Sequence, residues 1–351
     1  MVQAFSPITF GLVAFSLAAS AVGVRHAIRV AQRVGLLDVP NERSSHTLPT
    51  PRMGGVPMVA AAALAFGGWL FFAAGEISSL KGLPYTFLFA LAMFVLGFYD
   101  DLRKLSPLVR FLVQFASALL MLGFLTPRLP DVFLGKWVLP GWAWIIPGAF
   151  WAVWMLNLYN FMDGIDGLAG GEAAVASSFF FLVFVHYGES GWAIANLVIA
   201  AASMGFLIYN WPPARIFMGD GGSAFFGAFY GMQSVVAVLS TPVPFPVLVL
   251  PFANFIMDTT FTLLRRMFRG ETWYQAHRSH FYQRMTDLGM THKKVTSIEL
   301  LVVVASCAAA AACISAGPAV RIALVVSVAA GIACGGLWVR GKERTPEPGR
   351  S

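Results

Sequence analysis

Charged side chains are scarce in this sequence of 351 residues. Asp, Glu, Lys and Arg together make up 12% of the chain, whereas apolar residues make up 58%. This composition excludes an ordinary soluble protein, because soluble domains average about 25% charged residues. The bilayer must be the main solvent, and we predict an all-α polytopic membrane protein.

Cysteine is also scarce. The three cysteines lie in late apolar runs, at positions 307, 313 and 334. This placement excludes a disulfide framework or a cysteine metal site and indicates small core residues. The net charge of +7 would suit nucleic acid, but the positive charges follow the membrane loops, so we expect no nucleic acid partner.

At about 20 apolar residues per span, the sequence predicts eleven transmembrane helices. The first apolar run has no basic residues before it and no small-residue cleavage site, so we expect a membrane span there and not a cleaved signal peptide. The predicted spans are residues 7–29, 54–74, 83–99, 108–126, 141–157, 172–187, 191–209, 222–240, 244–264, 298–316 and 319–340.

Positive charge is distributed unequally between the two sets of loops that alternate along these spans. One set contains 20 of the 24 lysines and arginines. The positive-inside rule then predicts an N-terminus outside the cell membrane and a C-terminus in the cytoplasm. We expect residues 1–340 to form one membrane domain and residues 341–351 to form a disordered cytoplasmic tail.

Two adjacent carboxylates, Asp100 and Asp101, directly follow the third predicted span. Carboxylates at a helix C-terminus are unfavourable with the helix dipole, so they need a cation or a helix N-terminus nearby. We interpret the pair as catalytic or metal-binding. The alternative is a pair of acidic residues that end one helix and begin the next, near Arg103 and Lys104.

The segment from Asn157 to Gly171 carries Asp163, Asp166 and four glycines after Asp163. On a helical turn, the three-residue spacing would place both carboxylates on one face. The glycines would let a phosphate or another backbone approach closely. The alternative is a charged loop in which one Asp caps the next helix.

A third cluster runs from Asn210 to Ser223 and places Asp220 at the predicted N-terminus of a helix. Backbone N–H groups there can bind an anion, and the carboxylate can hold a metal that the anion also contacts. The alternative is a simple helix cap.

Histidines and arginines form two further candidate regions. The run from His277 to His280 lies in the longest predicted cytoplasmic loop, and His46 lies in a turn-rich loop between residues 38 and 55. Taken alone, the first is typical of the positive-inside signal and the second of a linker. Beside three acidic clusters, both indicate phosphate binding.

All of these clusters fall on the same predicted side of the membrane. Carboxylates alone would repel a pyrophosphate, so the combination predicts a divalent cation, with Mg²⁺ first and Mn²⁺ as the alternative. A site at the membrane surface also indicates that one substrate is a lipid.

In this order, the motifs resemble the bacterial polyprenyl-phosphate N-acetylhexosamine-1-phosphate transferases of glycosyltransferase family 4, relatives of phospho-N-acetylmuramoyl-pentapeptide transferase. The resemblance implies an inner-membrane enzyme whose site faces the cytoplasm. Such an enzyme would transfer a sugar 1-phosphate from a UDP-N-acetylhexosamine to undecaprenyl phosphate and release UMP. The matching pieces are residues 38–41, His46, residues 51–55, 99–101, 157–170 and 210–223, and Asp258 with Arg265 and Arg266.

The resemblance also implies roles for individual residues. Asp220 would be the main Mg²⁺ ligand, and Asp100 and Asp101 would be catalytic by positioning or activating the lipid phosphate. Because a phosphate monoester is mostly ionised at pH 7, positioning and charge neutralisation would contribute more than a strong base. The implied substrate-binding residues are Asn160 and Asp163 on the nucleotide side, with Asp166, Asn210, Arg278, His280 and His46.

The histidine motif departs from relatives that use UDP-GlcNAc, which carry Asp-Arg-x-His-x-His-His. Arg278 and His280 match that motif, but Tyr282 and Gln283 replace the two later histidines. The run resembles the branch that starts the O-antigen of lipopolysaccharide with N-acetylfucosamine or N-acetylquinovosamine. GlcNAc remains a possible sugar. The oligomeric state is also open, and a homodimer is possible.

Three other classes fit parts of the pattern. A CDP-alcohol phosphotransferase motif fits Asp163 to Ala169 but then needs an alanine and an arginine, where Gly170 and Gly171 stand. An intramembrane aspartyl protease needs a glycine where Phe217 stands. A transporter is the non-enzyme alternative. It predicts essential carboxylates near the bilayer midplane, whereas these cluster at one face.

Overall fold

The computed structural model describes residues 6–40, 48–72, 80, 82–125, 132–134, 137–272 and 277–344. Thirteen α-helices make up most of this part of the chain. They are α1 (Pro7–Val34), α2 (Gly55–Phe72), α3 (Leu83–Arg103), α4 (Pro107–Leu125), α5 (Ile145–Met162), α6 (Leu168–His186), α7 (Ser190–Asn210), α8 (Asp220–Ser240), α9 (Phe245–Val249), α10 (Ala253–Phe268), α11 (Phe281–Asp287), α12 (His292–Ser315) and α13 (Pro318–Arg344).

Two short antiparallel hairpins accompany the helices. Strand β1 (Leu37–Asp38) pairs with β2 (Thr50–Pro51), so that Asp38 lies opposite Thr50. Strand β3 (Val132–Leu134) pairs with β4 (Trp137–Leu139). The first hairpin follows α1 and positions the residues that lead into α2.

Within the described residues, 11 helical segments are long and apolar enough to cross a membrane. This confirms the all-α polytopic class and the predicted number of spans. The ninth span is broken into α9, a 3-10 turn (Leu250–Phe252) and α10. The last helix continues to Arg344, past the predicted start of the tail, and residues 345–351 lie outside the described part of the chain.

Helix α8 lies at the centre of the bundle and packs against α2, α3 and α5. Glycines bring these backbones together. A Cβ atom on Gly227 of α8 would lie 2.6 Å from the Cα of Leu156 in α5, and one on Gly97 of α3 would lie 2.5 Å from the carbonyl oxygen of Asp220. Small residues at such contacts allow close helix packing in membranes, and here they fix the N-terminus of α8 against the end of α3.

Polar contacts inside the apolar core connect α5, α6 and α8. The hydroxyl group of Tyr159 donates a hydrogen bond to the carbonyl oxygen of Ala169 at 2.6 Å. The hydroxyl groups of Tyr230 and Ser177 are hydrogen-bonded at 2.7 Å. Because a buried polar group without a partner is costly in a membrane, these bonds fix α6 relative to its neighbours.

Candidate active site

Asp100 lies in the last turn of α3, because this helix continues to Arg103. Its Oδ1 accepts a hydrogen bond from the backbone N–H of Leu105 at 2.6 Å. Its Oδ2 accepts one from Nη1 of Arg110 at 2.6 Å. The cation that neutralises this helix end is therefore Arg110, in the first turn of α4.

Asp101 lies next to both a cation and a helix N-terminus, the two kinds of partner that the sequence predicted for Asp100 and Asp101. Its Oδ2 accepts a hydrogen bond from the backbone N–H of Gly221, at the start of α8, at 3.4 Å. Its Oδ1 lies 3.5 Å from Nη1 of Arg52, whose other terminal nitrogen lies 3.6 Å from Asp38. A negative group at this position also interacts favourably with the dipole of α8.

Asp220 is the first residue of α8, as the sequence predicted. Its Oδ2 lies 3.8 Å from Nη1 of Arg110, and 43% of its side chain is exposed. The side chains of Asp100 and Asp101 are only 8% and 7% exposed. Asp220 is therefore the carboxylate in this group that a ligand can reach most easily.

Asp163 completes the acidic group from the end of α5, where it is the residue that ends the helix. Burial, together with the negative charges of Asp220 and Asp101, raises the pKa of Asp163 to about 7. One turn earlier, the amide of Asn160 donates a hydrogen bond to the hydroxyl oxygen of Ser223 at 2.9 Å. The C-terminal ends of α3 and α5 and the N-terminal end of α8 thus meet in one acidic site.

Asp166 has a different position from Asp163. Its Oδ2 accepts a hydrogen bond from the backbone N–H of Ala214 at 3.0 Å, and its Oδ1 lies 3.2 Å from Nδ1 of His292. The two carboxylates do not share a helical face, because α5 ends at Met162 and the chain turns between them. Asp166 instead connects the loop after α5 to the loop after α7.

Asn210 holds the same two loops together. Its Oδ1 accepts a hydrogen bond from the backbone N–H of Gly167 at 3.0 Å, and its Nδ2 donates to the carbonyl oxygen of Ile216 at 2.8 Å. Asp166 and Asn210 therefore shape the site through the backbone. Their contact with a substrate stays a prediction.

The histidine motif is anchored by Asp258 in α10. Its Oδ1 lies 3.1 Å from Nδ1 of His280 and accepts a hydrogen bond from the backbone N–H of Phe281 at 3.0 Å. Its Oδ2 accepts one from the N–H of Tyr282 at 3.2 Å. A carboxylate that accepts several N–H groups at a helix N-terminus is strongly stabilised, so this buried aspartate fixes the loop that carries His280.

His280 lies against the end of α5. The centroid of its ring is 6.1 Å from that of Phe161 and 4.9 Å from that of His277. Its buried Nε2 has no hydrogen-bond partner among the described residues, which is a position where a ligand or water is expected. Burial and the neighbouring His280 lower the pKa of His277 to about 4, so His277 is neutral at pH 7.

Arg278 and His46 are the remaining two of the predicted substrate-binding residues. Nη2 of Arg278 lies 2.8 Å from Oδ1 of Asp287 and donates to the hydroxyl oxygen of Thr286 at 3.3 Å, so this arginine is held against α11. His46 lies outside the described residues. A substrate contact stays a prediction for both.

The two residues that replace the later histidines of the motif brace the same loop. The hydroxyl group of Tyr282 donates a hydrogen bond to the carbonyl oxygen of Phe161 at 2.9 Å. Oε1 of Gln283 accepts one from the backbone N–H of His280 at 3.2 Å. An effect of these replacements on sugar choice would therefore act through the position of His280.

An apolar groove leads to the acidic site from the side of the bundle. It has a volume of about 560 Å³ and lies between α4, α5 and α10. Leu108, Phe111 and Phe150 line it and are exposed at the surface. Arg110 lines it as well, beside Asp100 and Asp220. Sequence reasoning counted Arg110 only as a loop charge; the available signal was a lone arginine in the first turn of an apolar helix.

The acidic site fits the predicted divalent cation. Within the described ranges, no three Asp, Glu, His or Cys side chains form a complete metal cluster. Mg²⁺ does not require one, because it commonly binds through one or two carboxylates plus phosphates and water. The open carboxylate of Asp220, with the carboxylates of Asp101 and Asp163 nearby, is a group whose negative charge a cation would compensate.

Comparison with known proteins gives a family match. The sequence model of Glycosyl transferase family 4 matches residues 83–238. A probable undecaprenyl-phosphate N-acetylglucosaminyl 1-phosphate transferase of Bacillus subtilis is 31% identical over 76% of this chain and 74% of its own length. A decaprenyl-phosphate N-acetylglucosaminephosphotransferase of Mycobacterium tuberculosis is 29% identical over 77% of this chain and 73% of its own. A phospho-N-acetylmuramoyl-pentapeptide-transferase of Listeria monocytogenes is 33% identical over 53% of this chain and 61% of its own.

Proposed function

Because the chain belongs to glycosyl transferase family 4 and is a phosphotransferase of the glycosyl-1-phosphate type, we propose that it transfers an N-acetylhexosamine 1-phosphate from a UDP-sugar to undecaprenyl phosphate. The products are UMP and a lipid-linked diphosphate sugar. The family assignment favours this reaction over the CDP-alcohol transferase and transporter alternatives.

One observation carries the proposal: the apolar groove ends at Arg110, which lies 2.6 Å from Asp100 and 3.8 Å from Asp220. A polyprenyl chain fits a groove lined by Leu108, Phe111 and Phe150. Its phosphate would then lie at the arginine, next to the acidic site that receives the diphosphate of the donor.

The proposed phosphoryl transfer does not require a strong general base from the protein. An oxygen of the lipid phosphate attacks the β-phosphorus of the UDP-sugar, and the bond from that phosphorus to the oxygen shared with the α-phosphate breaks. The attacking oxygen is already mostly ionised at pH 7, since the second pKa of a phosphate monoester is about 6. Alignment by Arg110 and charge neutralisation are then the main contributions.

The buried partners of the site hold this alignment. Asp100 fixes Arg110, and Asp101 fixes the N-terminus of α8 that carries Asp220. Asp220, with Asp163 and Asp101 nearby, would hold Mg²⁺, and the ion when bound supplies positive charge to the diphosphate. Mn²⁺ has the same preference for oxygen ligands.

The donor would lie on the side of α5 and the histidine loop. Asn160 and Asp163 face the start of α8 there. The buried Nε2 of His280, which has no partner among the described residues, would bind a sugar or phosphate oxygen. We propose N-acetylfucosamine, N-acetylquinovosamine or GlcNAc as the sugar. The two relatives described above with 29% and 31% identity are named for N-acetylglucosamine.

The proposed membrane and the orientation of the site in it are based on the distribution of positive charge among the loops. With 20 of 24 lysines and arginines in one set of loops, the positive-inside rule favours a site that faces the cytoplasm from a bacterial inner membrane. With a 6-deoxy sugar as substrate, the reaction would start O-antigen synthesis for lipopolysaccharide.

The first test uses purified protein, undecaprenyl phosphate, Mg²⁺ and a UDP-sugar, and measures the release of UMP. We expect Asp220→Asn and Asp100→Asn each to lower the rate at least about a hundredfold, which is the effect of removing one preorganised charge contact. EDTA should abolish turnover, and added Mg²⁺ or Mn²⁺ should restore it. A thermal unfolding midpoint close to that of the wild type shows that the fold is retained.

Full activity of Asp220→Asn, or turnover in EDTA, would contradict the assigned cation. A stable protein that binds undecaprenyl phosphate but releases no UMP with any UDP-sugar would contradict the reaction. Arg33→Gln is a suitable control, because Arg33 is exposed at the end of α1 and lies outside the site.

The second test compares UDP-GlcNAc with the UDP forms of N-acetylfucosamine and N-acetylquinovosamine at equal concentration. The 6-deoxy branch predicts a higher kcat/KM for one of the sugars that lack the C6 hydroxyl group. A preference for UDP-GlcNAc would contradict that branch and leave the general reaction unchanged.

A further inference from the structure

A second, basic cleft lies on the other side of α10. It has a volume of about 720 Å³ and lies between α10, the start of α11 and α13. Five arginines and two glutamates line it, an excess of three positive charges. The charged residues are Arg265, Arg269, Arg278, Arg284, Arg340, Glu271 and Glu343.

The acidic residues of this cleft are already paired. Glu343 is bonded to Arg284 through both oxygens, with Nε at 2.6 Å from Oε1. Glu271 lies 2.7 Å from Arg266. The side chains of Arg269 and Arg340 make no hydrogen bond or ion pair with any residue that the structure describes, and both are exposed. Two arginines therefore remain available to an anion.

An apolar cavity adjoins this basic cleft. It has a volume of about 380 Å³, lies between α10, α12 and α13, and shares Phe281, Ile332 and Gly336 with the cleft. Most of its other lining residues are apolar or glycine, and its two carboxylates are hydrogen-bonded to protein groups, Asp258 to the start of α11 and Glu299 to an asparagine amide. The combined space has a positively charged mouth and an apolar interior, which matches the shape and polarity of a phospholipid.

Helix α10 separates this space from the groove at the acidic site. Phe261, Arg265 and Arg269 recur every four residues and line the cleft, whereas Leu263 lines the groove. Two residues along an α-helix correspond to a rotation of about 200°. The two spaces therefore lie on opposite faces of α10, and a ligand in the cleft does not occupy the acidic site.

We propose that the cleft binds an anionic glycerophospholipid, with its phosphate at Arg269 and Arg340 and an acyl chain in the adjoining apolar cavity. Basic pockets between membrane helices bind anionic headgroups. A second copy of the chain fits less well, because a symmetric contact would bring two positive clefts together.

The test is native mass spectrometry of the purified full-length protein in detergent. The probes are phosphatidylglycerol, phosphatidylcholine with the same acyl chains, and glycerol 1-phosphate as the headgroup alone. We expect phosphatidylglycerol to bind at least tenfold more tightly than phosphatidylcholine, and glycerol 1-phosphate to bind only weakly, since it lacks the acyl chains.

Variants distinguish this cleft from other positive surfaces. A basic residue near a membrane surface contributes about fivefold in affinity, so Arg269→Gln with Arg340→Gln should weaken phosphatidylglycerol binding about 25-fold. The matched control is Arg29→Gln with Arg33→Gln, which removes two exposed arginines from α1. Gly331→Leu should weaken lipid binding without loss of the fold, because a Cβ atom on this cavity-lining glycine meets no atom within 4 Å.

Equal binding of phosphatidylglycerol and phosphatidylcholine would overturn the proposal. So would an equal loss in the control pair, or unchanged binding in both Arg269→Gln with Arg340→Gln and Gly331→Leu. If glycerol 1-phosphate competes as strongly as the lipid, the site is one for free phosphate. If the variants change only the monomer–dimer balance, the occupant is a second copy. Neither of these results is compatible with the proposal.

Discussion

The two halves of the bundle differ sharply in how closely their helices pack. In the most apolar part of α8, 94% of residues are buried, against 6% in α13. Helix α8 contacts its neighbours backbone to backbone and carries Asp220 at its start, whereas α13 leaves an open cleft and an apolar cavity beside it.

This difference corresponds to the two kinds of ligand that we propose. Chemistry on a diphosphate requires charged groups held within a fraction of an ångström, and closely packed helices supply that rigidity. A lipid with flexible chains requires space and a few positive charges. The contacts of α8 that position the acidic site are therefore tight, whereas the space beside α13 is loose, as is the groove between α4, α5 and α10 that we propose for the polyprenyl chain. We call the helices around α8 the tight half and those around α13 the loose half.

The largest effect should follow from adding one methyl group to the tight half. In Gly97→Ala, the new Cβ atom would lie 2.5 Å from the carbonyl oxygen of Asp220 and 2.9 Å from the Cα of Gly221. The start of α8 must then move. We expect UMP release to fall about a hundredfold, as a displacement of 1 Å can cause, and the free energy of unfolding to fall by about 1–3 kcal/mol. Wild-type rates in Gly97→Ala would show that the contact is not tight.

A smaller effect should follow from removing Asp258 of α10, which anchors the loop of His280 and also lines the cavity beside α13. In Asp258→Ala, the backbone N–H groups of Phe281 and Tyr282 lose their acceptor. We expect a loss of about 2 kcal/mol in local stability, seen as roughly thirtyfold faster amide exchange over residues 277–287. The matched comparison is exchange in α8, which should not change; equal acceleration there would mean that the two halves unfold together.

The smallest effect should come from a methyl group added to the loose half. A Cβ atom on Gly335 of α13 meets no atom within 4 Å. We expect Gly335→Ala to change the rate of UMP release by less than twofold and to raise the free energy of unfolding by at most about 1 kcal/mol, since alanine has the higher helix propensity. Together with Gly97→Ala, this variant tests the comparison directly, since both exchange a helical glycine for alanine.

Much of the fold was predictable because the bilayer imposes a simple rule of length and apolarity. The eleven spans follow from that rule, and Asp220 was placed correctly at the start of α8. The separation of Asp163 from Asp166 was not predictable. The spacing rule assumes a continuous helix, whereas α5 ends at Met162. The residues around this end are bonded to α8, to the loop after α7 and to α12, which are distant along the chain.

Arg110 was the other residue that sequence reasoning missed. Arg110 has the same local signature as a topological charge, because it follows a polar turn and precedes an apolar helix. Its role appears only when α3 and α8 bring Asp100 and Asp220 to it. Similarly, the two-residue spacing places Leu263 and Arg265 on opposite faces of α10, but no local pattern reveals that each face lines a space. Both findings depend on contacts between segments that are distant along the chain.

The groove between α4, α5 and α10 has a kinetic consequence. Since exposed Leu108, Phe111 and Phe150 form its wall, the polyprenyl phosphate that we propose for it would enter sideways, by diffusion within the plane of the membrane. The encounter rate would then depend on the mole fraction of this lipid in the bilayer. Diluting the membrane with inert lipid would lower the rate even at a constant amount of polyprenyl phosphate per volume of solution.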